Sequence, residues 1–358
     1  MFSLVCLLLA SWAAAADVTV HMLDVGQGDS ILLRTPAGKT VLIDAGDRGA
    51  GMLEKLRAHG VDHLDLVVAT HPHADHIGEM QKVIEALPPR VYVDSGQTHP
   101  TKVYASLLSA LEGNPAIQYR TATPGMVFNL DDGAKLELLW PNPKGLLTGT
   151  RSDLNSNSVV TRLTHGDDCF LFTGDAEEPT EAALLEAGVG QCDVLKVAHH
   201  GSRHSSGVAF LAAVKPSVAL VSAGAGNRYS HPGVETLARL DAVGATVYRT
   251  DQDGEVTVVS SGKGLRVLTE RARPAPQTEV PNAQAAVAVA TAGEAHAPEG
   301  SAEPEAAACA FPGSSRSEVF HGAGCRTAAK ISEANQMCYE SREAALKAGK
   351  RSAGCCHP

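Results

Sequence analysis

Between an apolar run and a helix-spaced one, the chain carries His71-Pro72-His73-Ala74-Asp75-His76, three imidazoles and a carboxylate in six residues. Leu64-Asp65-Leu66-Val67-Val68-Ala69 before it is short, β-branched and reads as a buried strand. After it, residues 77–87 place apolar side chains at helical spacing until Pro88-Pro89 stops them. A chain with this pattern is constrained to a strand–loop–helix unit that aims polar ligands off the end of a buried strand. Imidazole nitrogen and carboxylate oxygen suit zinc, and also manganese or iron. The i, i+2, i+4, i+5 spacing divides the four side chains into two pairs pointing different ways, so the loop can serve two metals.

Other strand ends repeat the theme. Residues 17–25, 30–34 and 40–44 read as three successive strands joined by Gly-rich turns, an antiparallel meander. Later strands are expected at 135–140, 158–163 and 169–173, the last running into Gly174-Asp175. A carboxylate beside a glycine that permits close backbone approach suits a bridge between two metals. As a lone Thr-Gly-Asp, the same Asp175 could instead cap the helix expected over 177–187. A strand at 193–198 delivers His199-His200-Gly201-Ser202, and one at 218–222 leads to Tyr229-Ser230-His231-Pro232. Taken alone, His231 equally suits a surface loop.

Length and composition set the organisation. At 358 residues, 44% hydrophobic and 4% aromatic, the chain implies one large α/β domain with an appendage. Residues 1–16 are an apolar stretch ending in small residues, as in a secretory signal peptide, and point to export to the periplasm or beyond. The run is too short for a membrane anchor, which needs about 20 apolar residues. Residues 269–308 are rich in Ala, Pro, Glu and Gln and cannot bury enough surface to order themselves, so they read as a linker. Residues 309–358 hold five of the eight cysteines in a segment too small for a self-sufficient core.

Together, Leu23-Asp24-Val25-Gly26-Gln27-Gly28-Asp29-Ser30, the His71–His76 loop, Asn155-Ser156-Asn157-Ser158, Thr173-Gly174-Asp175, His199-His200-Gly201-Ser202 and Tyr229-Ser230-His231-Pro232 resemble the metallo-β-lactamase superfamily. Within it, they are most similar to the hydrolase domain of ComEC-like competence proteins, over residues 17–268. The resemblance implies an α/β fold, an αββα sandwich of two mixed sheets with the site along one sheet edge. It also implies two divalent metals, zinc or manganese. His71 and His73 would hold the first, Asp75 and His76 the second, with Asp175 bridging and His231 joining the second. Where the superfamily usually has a further His, this chain has Asn155 and Asn157. The His199-His200 pair would fill that gap, with His200 as ligand and His199 as proton donor or phosphate contact.

Two metals would lower the pKa of a bridging water, with Asp75 orienting it and His199 protonating the leaving oxygen. Ser202, Arg203, His204, Ser205 and Ser206 offer hydroxyl and cationic donors to a phosphate, although a solvated polar loop explains them as well. The implied activity is an exported DNase or phosphodiesterase acting on DNA or another phosphodiester. The formal net charge of -10 argues against strong binding of a polyanion, but the acidic linker contributes to it and the C-terminal segment is mildly basic. Rival readings are a small phosphodiester hydrolase of the choline-phosphate esterase type, a β-lactamase, or a metal-dependent binding module without activity.

In the last segment, Val319–Arg326, Ile331–Gln336, Ser341–Gly349 and Cys356-His357-Pro358 resemble the small zinc-binding domain of Ada-type DNA-repair proteins. One structural zinc held by His321, Cys325, Cys355 and Cys356 is implied. Counting back from Cys356, the second pair should fall on residue 353, which is Ala, so either Cys355 or Cys338 substitutes or that ligand is absent. A disulfide among Cys309, Cys338 and Cys355 is the alternative in an exported protein.

Overall fold

The computed structural model describes residues 17–131, 133–272, 311–314, 319–320, 336–339, 342–348 and 350–352. The chain divides into two compact units, Met1–Gln277 and Thr278–Pro358. Among the described residues the first contains fifteen strands. β1 (Val18–Met22), β2 (Ile31–Arg34) and β3 (Thr40–Ile43) form the expected meander, followed by α1 (Met52–Ala58), β4 (Leu66–Ala69), α2 (Ala74–Ile77), α3 (Met80–Ala86), β5 (Val91–Asp94), α4 (Lys102–Glu112) and β6 (Gln118–Thr121). Next come β7 (Val127–Asn129), β8 (Ala134–Trp140), α5 (Asp153–Ser156), β9 (Val160–His165), β10 (Asp168–Phe172), α6 (Glu178–Glu186) and β11 (Val194–Lys196). A single tight turn over Ala198–Gly201 precedes α7 (Val208–Val214), β12 (Val218–Val221), α8 (Val234–Ala242), β13 (Thr246–Arg249), α9 (Thr250–Asp253), β14 (Val256–Ser260) and β15 (Leu265–Thr269).

Two mixed sheets result. One runs β15-β14-β1-β2-β3-β4-β5-β6 and the other β13-β12-β11-β10-β9-β8-β7. In each, an antiparallel portion gives way to parallel strands, β3 to β6 in the first and β10 to β13 in the second. Strand alternation explains the layers. Ile31 and Leu33 of β2, Leu66 and Val68 of β4, and Phe170 and Phe172 of β10 point into the core between the sheets. Leu32, Leu42 and Val67 point the other way, onto Met52, Leu56, Met80, Val83 and Leu107 of the helices on that face. Leu171, Leu195 and Ala219 of the second sheet pack likewise on Leu184, Phe210, Leu211 and Leu240. Helix, sheet, sheet and helix therefore stack as an αββα sandwich. In such sheets the free ends of parallel strands leave a crevice where loops converge, and β3, β4, β10, β11 and β12 all end there.

The helix expected over 77–87 is split. Asp75 and His76 already lie on α2, and the break falls at Gly78-Glu79. Gly78 presses so closely on the chain at 47–48 that an added Cβ would meet Arg48 N at 2.4 Å, while its own amide donates to Gly46 O at 2.8 Å. The loop after β3 thus fixes the position of α2.

The described parts of the second unit are β16 (Phe311–Ser314), β17 (Val319–Phe320), β18 (Gln336–Tyr339), α10 (Arg342–Lys347) and β19 (Arg351–Ser352), forming one sheet in the order β18-β16-β17-β19. Phe320, Tyr339 and Ala345 make its small core. His321, Cys325, Cys355, Cys356 and Cys309, the expected leader and residues 273–308 of the expected linker lie outside the described residues, whereas Thr269, placed in that linker, ends β15 paired with Val256.

Candidate metal centre

Asp175 is the centre of the crevice. It follows β10 through Gly174, whose backbone is left-handed at φ 51 and whose Cβ position is closed off by Thr70 at 2.9 Å. The helix after it is capped at Glu177, so Asp175 is free of that duty, and its buried carboxylate faces imidazoles. His76 Nε2 lies 3.3 Å from Oδ1; His200 Nε2, His199 Nε2 and His71 Nε2 lie 3.7, 3.8 and 3.9 Å from Oδ2. His71 Nε2 is 2.9 Å from His73 Nδ1, and His200 Nε2 is 3.4 Å from Asp75 Oδ2. Ligands 2.0–2.2 Å from a tetrahedral metal stand about 3.3 Å apart, so these separations are those of groups gathered around cations.

Two clusters emerge with Asp175 between them. His71 belongs to one, with Asp175 and His76 within 4.8 Å, and His73 reaches it only through His71. Asp75, His76 and His200 form the other, their ligand atoms all within 4.8 Å. The fit to metal is carried by buried atoms: His76 Nε2, His200 Nε2 and Asp175 Oδ1 make no hydrogen bond although they converge. Leaving three such atoms unpaired would cost several kcal/mol, and a cation among them satisfies all three. Burial holds the pKa of His71 and His73 below the ordinary histidine value, keeping both neutral as ligation demands. At Asp75, burial pushes upward, but the neighbouring His200 and His76 imidazoles outweigh it and keep the carboxyl below its usual range. At His76 and His200 burial pushes downward and the surrounding carboxylates outweigh it, holding both rings above the ordinary histidine value, so a bound cation would have to displace their protons.

His200 therefore stands with Asp75 and His76. Its place beside them comes from the turn after β11, where His199 and His200 adopt left-handed backbone at φ 50 and 54, conformations costing on the order of 1–3 kcal/mol each. His199 turns outward from His200, with Nδ1 3.2 Å from Glu177 Oε1, and Glu177 in turn accepts from Arg151 Nη2 at 2.9 Å. Asn155 approaches His199 at 3.4 Å. Asn157 instead closes its own loop, with Nδ2 donating to Leu147 O and Asp153 O at 2.8 Å. His231 reaches the crevice by ring contacts, 5.6 Å from His199 and 6.3 Å from His200 between centroids, and is in none of the tight ligand clusters.

A supporting layer was not singled out from sequence. Asp44 Oδ2 accepts from His76 Nδ1 at 2.7 Å and from Thr70 Oγ1 at 2.7 Å, which turns His76 Nε2 toward Asp175. His200 Nδ1 donates to Ser222 O at 3.0 Å, with Asp29 Oδ1 at 3.3 Å. Buried Lys196 pairs with Asp29 and donates to Gly174 O at 2.8 Å. Asp29, Asp44, Asp75 and Asp175 thus bring four carboxylates to the crevice against one buried ammonium, Lys196, which lies beside Asp29 and 3.9 Å from Asp175, a balance that favours added cations. The serines proposed for phosphate binding do not reach it. Ser202, Ser205 and Ser206 are buried, and the Ser205 hydroxyl donates to Ala198 O at 2.8 Å, because this segment is tied down by Glu181 of α6 and Arg239 of α8. Arg203 stays exposed and His204 partly so.

Fold and site define a class, and comparison agrees: the family model of the metallo-β-lactamase superfamily matches residues 23–225, and the chain belongs to that superfamily. Among its relatives, ComE operon protein 3 of Bacillus subtilis is 30% identical over 263 residues, 68% of this chain and 33% of that protein. Competence protein ComA of Neisseria gonorrhoeae is 32% identical over 244 residues, 66% of this chain and 32% of that protein. The chain thus spans about a third of the length of these curated relatives. Among solved structures, the metallo-β-lactamase fold protein YhfI of Bacillus subtilis aligns with a TM-score of 0.44 at 12% identity, over 65% of this chain and 96% of that one. None of the described helices is long and apolar enough to cross a membrane.

Proposed function

We propose that the protein is an exported phosphodiesterase that cleaves DNA with two divalent metals, zinc or manganese, held by His71 and His73 on one side and Asp75, His76 and His200 on the other. The observation that carries this reading is the Asp175 carboxylate set between the two groups. When bound, such a pair of ions lowers the pKa of a water and offsets charge on phosphoryl oxygens. Asp75, 31% exposed beside His200, would orient a water nucleophile. His199 delivers a proton to the leaving oxygen, and the Glu177 carboxylate at 3.2 Å holds its ring in place. Tyr229, 50% exposed and stacked on His231 at 5.7 Å with Arg228 over its ring, offers a nucleobase a flat surface beside the crevice. Likeness to competence proteins supports a DNA-related substrate. Export is supported by a disulfide between Cys169 and Cys192, bonds that persist in oxidising compartments. In the second unit, a zinc at His321, Cys325, Cys355 and Cys356 remains part of the proposal.

The deciding experiment assays the full chain, loaded with zinc or manganese, on plasmid DNA, single-stranded DNA, bis(p-nitrophenyl) phosphate and a chromogenic cephalosporin in parallel. Cleavage of DNA and the aryl diester, abolished in Asp75→Ala, is expected. Turnover of the cephalosporin alone would sink the nuclease reading, and aryl diester hydrolysis without DNA cleavage would favour a small-molecule phosphodiesterase.

A further inference from the structure

A second set of metal-ligand side chains lies on the outer face of the first sheet and shares no residue with the crevice. His21 projects from β1 on the side opposite Val20 and Met22, which enter the core. His59 caps the C-terminus of α1, and Glu255 immediately precedes β14. His21 Nδ1 is 3.1 Å from Glu255 Oε1, and His59 Nε2 is 3.0 Å from Glu255 Oε2. The two rings approach to 4.4 Å between centroids at 56°, so they converge on the carboxylate instead of stacking.

We infer that His21, His59 and Glu255 form a separate mononuclear site for zinc or a similar borderline divalent ion, with water completing the tetrahedron. The three side chains are joined by hydrogen bonds in this structure, and three features suit them to hold an ion in place of those protons. The nitrogen–oxygen separations approach the roughly 3.3 Å edge of a tetrahedral zinc site. His21 Nε2 lies 3.2 Å from Thr19 Oγ1, so the outer ring nitrogen has its own partner and Nδ1 is directed inward, as metal-bound imidazoles are usually held. The side chains of His21, His59 and Glu255 are 13, 20 and 25% exposed, leaving a route for an ion and a place for water. Thr257 Oγ1, 2.9 Å from His21 Nδ1, Arg34, which donates to the His59 carbonyl, and Glu270, which accepts from the Glu255 amide at 3.0 Å, also lie beside the site. Residues 234 and 196 positions apart in sequence meet here, so an ion would tie the first strand, the end of α1 and the closing hairpin of the unit together.

The test is zinc content of the full chain after dialysis against zinc-limited buffer, read against the His59→Gln and Glu255→Gln variants. Each variant should carry one zinc fewer per chain than wild type, with unchanged turnover of bis(p-nitrophenyl) phosphate. This outcome is independent of the catalytic centre, and it should persist in an Asp175→Ala background that abolishes activity. Equal zinc content in wild type and both folded variants would overturn the inference. Should the variants not fold, anomalous scattering from zinc-soaked wild-type crystals decides: a peak among the three side chains supports the site, and no peak there refutes it.

Discussion

Asp44 shows how one side chain can govern a centre it does not enter. Held in left-handed backbone at φ 59, it accepts from the Thr70 amide, the Thr70 hydroxyl and His76 Nδ1, each at 2.7 Å. Asparagine tolerates the same backbone but offers His76 only one acceptor of weaker charge. Asp44→Asn should therefore lower metal affinity or activity by roughly 10- to 100-fold, the usual cost of losing an outer partner of a ligating histidine, as measured by metal titration. His199 is a different case, because proton delivery matters only for a poor leaving group. His199→Gln should cost about 10²- to 10⁴-fold on DNA and far less on bis(p-nitrophenyl) phosphate, whose leaving group departs without a proton. Equal losses on both substrates would remove His199 from that role. Tyr229→Ala should weaken binding of single-stranded DNA by about 1–3 kcal/mol per stacked base while sparing the aryl diester, as seen in KM for each.

Among the elements, the segment between the histidine pair and α7 is held by two charged side chains. Arg239 donates to Ser206 O and Ser205 O, both at 2.8 Å, and Glu181 accepts from the amides of Ser206 and Gly207. Burial pushes the Glu181 carboxyl up from 4.5 to about 7, against the pull of those amides and of Arg239, with Glu178 adding to the rise. An acid whose folded pKa is raised contributes stability that is complete below its unfolded value and lost as pH rises through the folded one. Between pH 4.5 and about 7, wild type should lose up to about 3 kcal/mol relative to Glu181→Gln in urea unfolding. Parallel pH profiles would contradict it. The same scale shows what sequence can disclose. His71, His73, Asp75 and His76 were legible because one loop carries them, and Asp175 and His200 because each ends an apolar run. Asp44 and Lys196 sit in equally apolar runs and Asp29 in a Gly-rich turn, but they act only through register, since Asp44 reaches His76 because β3 lies parallel to β4. The break at Gly78 was hidden for a similar reason, its cause being the backbone at 47–48.

In the first unit as a whole, each sheet contributes half of the centre. His71, His73, Asp75 and His76 hang from the first sheet and Asp175, His199 and His200 from the second, so the geometry of the proposed metal pair would depend on the sheets keeping their packing. Between β10 and β11, the two strands that carry the second half, Cys169 and Cys192 form a disulfide with Cα atoms 4.8 Å apart, a span such bridges ordinarily bridge. Neither cysteine has a metal-like spacing, and they meet because β11 lies parallel to β10 after the α6 crossover. The bridge closes a loop of sequence separation 23, which in the chain-entropy account is worth about 3 kcal/mol. It closes around Asp175 and α6, so its loss should loosen the bridging carboxylate relative to the first sheet. Cys169→Ala/Cys192→Ala should unfold at lower denaturant by about that amount and lose metal at lower chelator concentration than wild type. In a reducing buffer, wild type should converge on the variant in both measurements. If reduction changes neither, the bridge does not form in the folded protein, and the support it lends to an oxidising compartment goes with it.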